Sequence, residues 1–271
     1  MGKGLVATHG SGEIVGTVMW WLDNDETCAA LGLVIVSHRC QRQGIGSKLM
    51  RAAMASLNGQ HIYLNAVPLA VPLYEQLGFQ QFGEMKQHQG IADHVSSLRP
   101  LESGWVMCSV DSAELPSLAA CYLTVTGRSR SALLQAISSL AETIAVLDPR
   151  GHMSGFAMCR RFGRGLIIGP VVAADAHCAI ALIGQFLMKH AGEFMRIDTL
   201  GHEELSVWLE NAGLHALGIA HPCLSEEARI YILEGQVASL RYSLQRWADA
   251  LSNPLIRKAG ADMLCDLGMG S

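Results

Sequence analysis

HRCQRQGIGSKLM, residues 38–50, lies between the apolar run LGLVIVS at 31–37 and a segment whose apolar residues recur at helical spacing. Glycine costs a helix up to about 1 kcal/mol relative to alanine, yet Gly44 and Gly46 stand where the helix begins. Glycine at such a junction means that the backbone turns without a side chain or that something approaches it closely. The first helical turn has free N–H groups and the positive end of the helix dipole, which suit an anion, above all a phosphate. Two common phosphate motifs fail. Leu49 takes the last glycine position of G-x-G-x-x-G, and the Walker pattern lacks its distant glycine and the hydroxyl after its lysine. What remains is Q-x-x-G-x-G, formed by Gln41, Gly44 and Gly46.

Around this loop the pattern reads as strands and helices in alternation. Residues 3–9 and 13–22 are predicted strands joined by the turn HGSG, and 27–37 is a continuous apolar run of the central-strand kind. Leu49, Met50, Ala53, Met54 and Leu57 predict an amphipathic helix over 46–57. HIYLNA at 61–66 is a strand, PLAVPLYEQL at 68–77 a helix ended by Gly78, and the segment from 78 opens with a further strand. The polar stretch 91–104 reads as a linker, and beyond it the order recurs. A strand at 105–110 precedes two helical stretches within 112–140, broken near Gly127. Three strands end at LIIGPVVA, followed by a helix over about 175–191 capped by Asp175, the strand MRIDTL, the helix EELSVWLENAG and LHALGIA. LYEQLGF at 73–79 matches WLENAGL at 208–214 with Gly78 laid over Gly213. Two related domains are therefore expected, 1–100 and 101–271.

Half of the 271 residues are hydrophobic and 16% are charged, which favours a packed chain over disorder. A net charge of −4 gives no general field for nucleic acid or anionic lipid, so an anionic ligand has to be caught locally. Eight cysteines are scattered with no C-x-x-C pair and read as reduced core residues. His88, His94 and His177 beside Cys178 lack further ligands at metal spacing, so no metal is expected. The apolar tract 166–188 is long enough to span a bilayer, but Gly169 and Pro170 break it and Asp175 would cost roughly 2.5 to 3.5 kcal/mol in lipid. With no apolar signal core at the amino terminus and Val6 against a myristoylation motif, a cytoplasmic protein is expected.

The Gln41–Gly46 loop directly after a hydrophobic strand closely resembles the pyrophosphate loop of the GCN5-related N-acetyltransferase family, and LYEQLGF matches that family's L-Y-E-x-x-G-F signature. LNAVPLAVPLYEQLGF with QHQG, and IGPVVAAD in the second half, are similar to acetyltransferases with two such domains in one chain; the resemblance spans roughly 3–220. It implies an α/β (α+β) fold of two tandem domains, each a mixed, mostly antiparallel sheet flanked by helices. It implies acetyl-coenzyme A as cosubstrate and a small-molecule amine as acceptor, attacking the thioester directly. Backbone groups of Val34, Ile35 and Val36 would hold the pantetheine arm and stabilise the oxyanion. Amides of Gln41, Arg42, Gln43, Gly44, Ile45 and Gly46, with Ser47, would hold the pyrophosphate. Tyr74 takes the general-acid position: a phenol of reference pKa about 10 donates to a thiolate whose acid has a pKa of about 8.5. Read without the resemblance, Tyr74 equally fits a helix tyrosine packed on the core.

Several positions depart from the family. The family's fold usually opens with a strand and two helices, whereas this chain starts at what reads as the second strand. Either that start is lost or misassigned, or the second domain or another subunit, as in a homodimer, supplies the wall. Val67 stands where the family has asparagine, with Asn65 nearby but out of register. No base is singled out among Asp23, Asp25, Glu26, His38 or a water chain; Trp20 and Trp21 point to opposite faces, so one fits an acceptor pocket, although core is the commoner role of such a tryptophan. In the second half ADAHCA replaces the glycine loop and Leu209 the tyrosine. Arg160, Arg161 and Arg164 read as a solvated turn ahead of an acidic-substrate site, and 226–251 as partly helical. The competing function class is a noncatalytic acyl-coenzyme A binding or interaction protein.

Overall fold

A computed structural model describes residues 2–24, 26–92, 95, 100–200 and 203–225. In chain order these form β1 (Lys3–Thr8), β2 (Ile14–Leu22), β3 (Cys28–Val36), α1 (Ile45–Ser56), β4 (His61–Ala66), α2 (Val71–Glu75), β5 (Phe79–Gln81), β6 (Met85–Ile91) and β7 (Val106–Ser109). There follow α3 (Leu115–Thr126), α4 (Ser131–Ser138), β8 (Ala141–Leu147), β9 (Met153–Phe162), β10 (Gly165–Ala173), α5 (Ala176–Lys189), β11 (Phe194–Leu200), α6 (Glu203–Asn211) and β12 (His215–Ser225). The class is the expected one, a mixed α/β fold with mostly antiparallel pairing.

The first compact unit comprises, of the described residues, 2–82 and 222–225. Its strands run β1-β2-β3-β4 with the end of β12 beside them and β5 paired to β12. Alternation puts Val18, Trp20, Ala29 and Leu31 on one face, where they pack with Leu49, Met50 and Ala53 of α1 and with Tyr74 and Phe79. Removing a leucine such as Leu31 fully from water contributes roughly 1.5 to 3 kcal/mol. Trp21 lies outside this cluster, as its position in the alternation requires. Gly16 of β2 makes the helix docking close: a β-carbon there would stand 2.9 Å from Leu49 Cδ1 and 3.1 Å from Ile45 Cγ2.

The second unit comprises described residues 83–221. Its strands run β12-β6-β11-β10-β9-β8-β7, with α5 and α6 packed on one face and α3 and α4 on the other. The division falls at Phe82/Gly83, ahead of the linker composition at 91–104, because β6 pairs along its whole length with β11 and also with the first half of β12. The apolar tract resolves into β10 and α5, and no helix among the described residues is long and apolar enough to cross a membrane. The expected helix over 68–77 is broken: Pro68 opens a 3-10 turn through Ala70, and Pro72 lies in the first turn of the five-residue α2. Residues 226–271, which carry the expected helix and Cys265, lie outside the described residues.

Candidate active site

β3 is bulged and then parts from its neighbour. It pairs with β2 at Met19↔Gly32 and next at Thr17↔Ile35, so β3 carries one extra residue there. Leu33 takes up the excess at φ 50, a left-handed conformation that costs a non-glycine residue roughly 1 to 2 kcal/mol. Thr17 Oγ1 donates to the Leu33 carbonyl at 2.9 Å and fixes it. On its other edge β3 pairs with β4 only from Cys28↔His61 to Ala30↔Tyr63. Beyond that point, Ile35 and Val36 pair with β2 on one edge, and Val34, Ile35 and Val36 present the other without a strand partner among the described residues. An extended chain can pair with such an edge through main-chain hydrogen bonds.

The loop that follows is built by its glutamines and by left-handed backbone. Gln41 Nε2 donates to the Val36 carbonyl at 3.2 Å and Gln43 Nε2 to that of Arg39 at 3.4 Å. Arg42 at φ 60 and Gly44 at φ 76 then turn the chain into α1. Gly44 is the N-cap, with no side-chain cap and no acidic residue in the first turn. The first amide tied back is that of Lys48, to the Gly44 carbonyl at 3.0 Å. Among the described residues nothing accepts from the amides of Arg42, Gln43, Gly44, Ile45, Gly46 and Ser47. Gly46 has room for a side chain, since a β-carbon would lie 3.5 Å from Leu73 Cδ2 and 3.7 Å from Val36 Cγ2, ordinary contact distances. The fold therefore does not itself require glycine there. A diphosphate on an extended arm matches both the bare helix start and the open edge of β3.

Leu73 thus brings α2 against the loop, and Tyr74 follows it in sequence. The ring is 6% exposed and meets Phe79 edge to face, with centroids 6.0 Å apart. Val67 is exposed at the entry to the 3-10 turn, and Asn65 stays on β4. Of the base candidates, Asp23 and Glu26 belong to the β2–β3 turn, where the Glu26 amide donates to the Asp23 carbonyl at 3.0 Å. That turn lies at the opposite end of β3 from Val34–Val36, roughly 20 Å away at about 3.3 Å per residue. His38 is exposed on the 3-10 turn His38–Cys40, next to the loop; Asp25 lies outside the described residues.

The second unit repeats the strand geometry without the helix start. β10 pairs with β11 only at Leu166↔Met195 and Ile167↔Arg196. At α5, however, the Asp175 carboxylate accepts from the Cys178 amide at 2.8 Å and holds a negative charge where an anion would sit. The arginines near 160 form no basic patch. Arg160 is buried and donates to the Gly169 carbonyl, Arg161 pairs with Glu193, and Arg164 lies 4.1 Å over the Phe194 ring. His88 is buried between Ser206 and the Leu214 carbonyl, at 3.1 and 3.2 Å. Among the described residues no group of three His, Cys, Asp or Glu side chains is placed to hold a metal. The described cysteines are all free, and burial pushes Cys159 and Cys178 up to about 12. Reasoning from sequence missed Thr17 and Leu33, for which no local signal exists, and Gly16, for which one does: an isolated glycine within a strand marks close approach.

Residues 2–95 match one sequence model of the acetyltransferase (GNAT) domain and residues 123–218 match a second. The chain is 28% identical over 210 residues to YitH, an uncharacterised N-acetyltransferase of Bacillus subtilis, covering 76% of this chain and 72% of that one. In three dimensions it is similar to a putative acetyltransferase from Pyrococcus horikoshii, with TM-score 0.63 and 17% identity over 79% of this chain and 70% of the other. It is also similar to a tandem GNAT protein from the clavulanic acid biosynthesis pathway, with TM-score 0.60 and 12% identity over 90% and 84%.

Proposed function

Since the chain belongs to the GNAT acetyltransferase family and carries two such domains in tandem, we propose that it transfers an acetyl group from acetyl-coenzyme A to the amine of a small molecule. The observation that carries this reading is the bare start of α1, with six amides that have no acceptor among the described residues, directly after a strand whose edge has no strand partner among them. The amides of residues 42–47 would hold the diphosphate, and the free edge of Val34–Val36 would pair with the amide-containing pantetheine arm. Acetyl-coenzyme A supplies an activated acyl group as a thioester. A main-chain N–H on the open edge of β3 lowers the barrier by donating to the oxyanion that forms when the amine attacks, a contribution on the order of 3 kcal/mol for one well-placed donor. Tyr74 is assigned the proton delivered to the departing sulfur. The acceptor's own proton leaves through His38 or water, since Asp23 and Glu26 are too distant.

Two steps test the reading. Saturating acetyl-coenzyme A is expected to raise the melting temperature of the full chain, as any ligand of the folded state must. A panel of small primary amines, followed by release of free thiol, is then expected to show turnover with at least one amine. Stabilisation without turnover on any amine would leave an acyl-coenzyme A binding protein; absence of stabilisation would remove the coenzyme from the account.

A further inference from the structure

The charge around the loop exceeds what a diphosphate needs. From Thr27 to Tyr74 the sequence holds no aspartate or glutamate and four permanent cations, Arg39, Arg42, Lys48 and Arg51. The whole chain is at −4, so everything outside this stretch sums to −4 − 4 = −8. All four side chains are exposed, and none lies within ion-pair distance of a carboxylate among the described residues. Four cations elsewhere are ion-paired: Lys86 with Glu203, Arg161 with Glu193, Lys189 with Glu142 and Arg196 with Asp198. Lys48 and Arg51 moreover stand in the first two turns of α1, the end of a helix where positive charge is disfavoured, with no acidic residue in the first turn to offset them. Unpaired like charges gathered at an unfavourable helix end are an arrangement that a bound polyanion relieves.

We propose that this cluster reads the 3′-phosphate of the coenzyme, so that the protein selects the complete coenzyme over its dephospho form. The inference rests on the acyl-coenzyme A reading above. A diphosphate bridge carries two negative charges and a phosphomonoester close to two more at neutral pH. The sum matches four cations, whereas a donor lacking the 3′-phosphate leaves two of them uncompensated. Selection operates through charge on exposed side chains, so it weakens as salt screens them.

The test compares coenzyme A with dephospho-coenzyme A by calorimetric titration of the full chain at low and high salt, on the wild type and on Arg39→Gln, Lys48→Gln and Arg51→Gln. These exposed substitutions leave the amide cradle intact, and the unliganded melting temperature of each variant is the folding control. Expected is an affinity for coenzyme A on the order of tenfold higher at low salt, the size of a charge-assisted phosphate contact. The preference shrinks at high salt and falls several-fold in at least one variant whose affinity for the dephospho form is unchanged. Equal affinities in the wild type at low salt, or full preference retained by all three variants, would overturn the 3′-phosphate assignment while leaving acyl-coenzyme A binding in place. Binding of neither form would sink both.

Discussion

Tyr74 has a packed ring, in edge contact with Phe79 and surrounded by the first unit's core. Phenylalanine preserves that packing, so Tyr74→Phe separates the hydroxyl from the ring. Turnover is expected to fall roughly 10² to 10⁴-fold, the usual contribution of a positioned general acid, while the dissociation constant for acetyl-coenzyme A, read by titration, stays within error. Equal turnover in mutant and wild type would return Tyr74 to the core. His88 is an ionisable residue of another kind, wholly buried in the second unit. A carbonyl only accepts, so Nδ1 carries the proton to Leu214 and Nε2 takes the Ser206 hydroxyl. Burial lowers its pKa in the folded state below the usual 6.5, against weaker opposing pulls from the Leu214 carbonyl and then Glu210. Below about pH 6.5 the unfolded chain therefore binds a proton that the folded chain refuses, and the histidine's share of stability is lost as pH falls. Asp198, pushed up to about 6 by burial, has the opposite sign through the same range. The difference between wild type and His88→Asn thus isolates the histidine. From pH 7.5 to 5.5 the wild type's urea midpoint should drop more than the variant's, and parallel drops would contradict the burial argument.

At the scale of elements, the α1 loop separates what folding needs from what binding needs. Gly44 adopts φ 76, so alanine there strains the turn by roughly 1 to 2 kcal/mol. Gly16→Ala would press on Ile45 and Leu49. Gly46→Ala meets only ordinary contacts and replaces a poor helix former with a good one. Its unliganded melting temperature should be equal to or above the wild type's while its stabilisation by acetyl-coenzyme A is lost; a variant still stabilised as the wild type is would show that no ligand uses that space. The loop was legible because its message is local, two glycines and a glutamine within six residues. The bulge beside it was not, because Leu33 is fixed by Thr17, 16 residues earlier on another strand. Asp175 was legible as a cap from its place before an apolar helical run. The pairing of β6 was hidden for a different reason: alternation tells which face of a strand is buried and nothing about which neighbour it joins.

For the whole molecule the tandem order implies two sites or one, and the helix starts decide between them. Both units part their parallel strands after a short pairing, three residue pairs in the first and two in the second. Strand geometry therefore does not distinguish them. At α1 the amides have no acceptor among the described residues and the surrounding charge is positive; at α5 a carboxylate already occupies the Cys178 amide. Bringing a diphosphate there would displace the cap, worth about 1 kcal/mol, and set two further negative charges beside Asp175. Titration with acetyl-coenzyme A should accordingly saturate at one molecule per chain. Arg42→Glu, which reverses a charge at the α1 loop, should abolish the binding instead of halving it, and Asp175→Ala should lower the melting temperature without adding a second equivalent. Two equivalents in the wild type, or a residual full-affinity equivalent in Arg42→Glu, would mean that the second unit binds the coenzyme through groups other than its helix start.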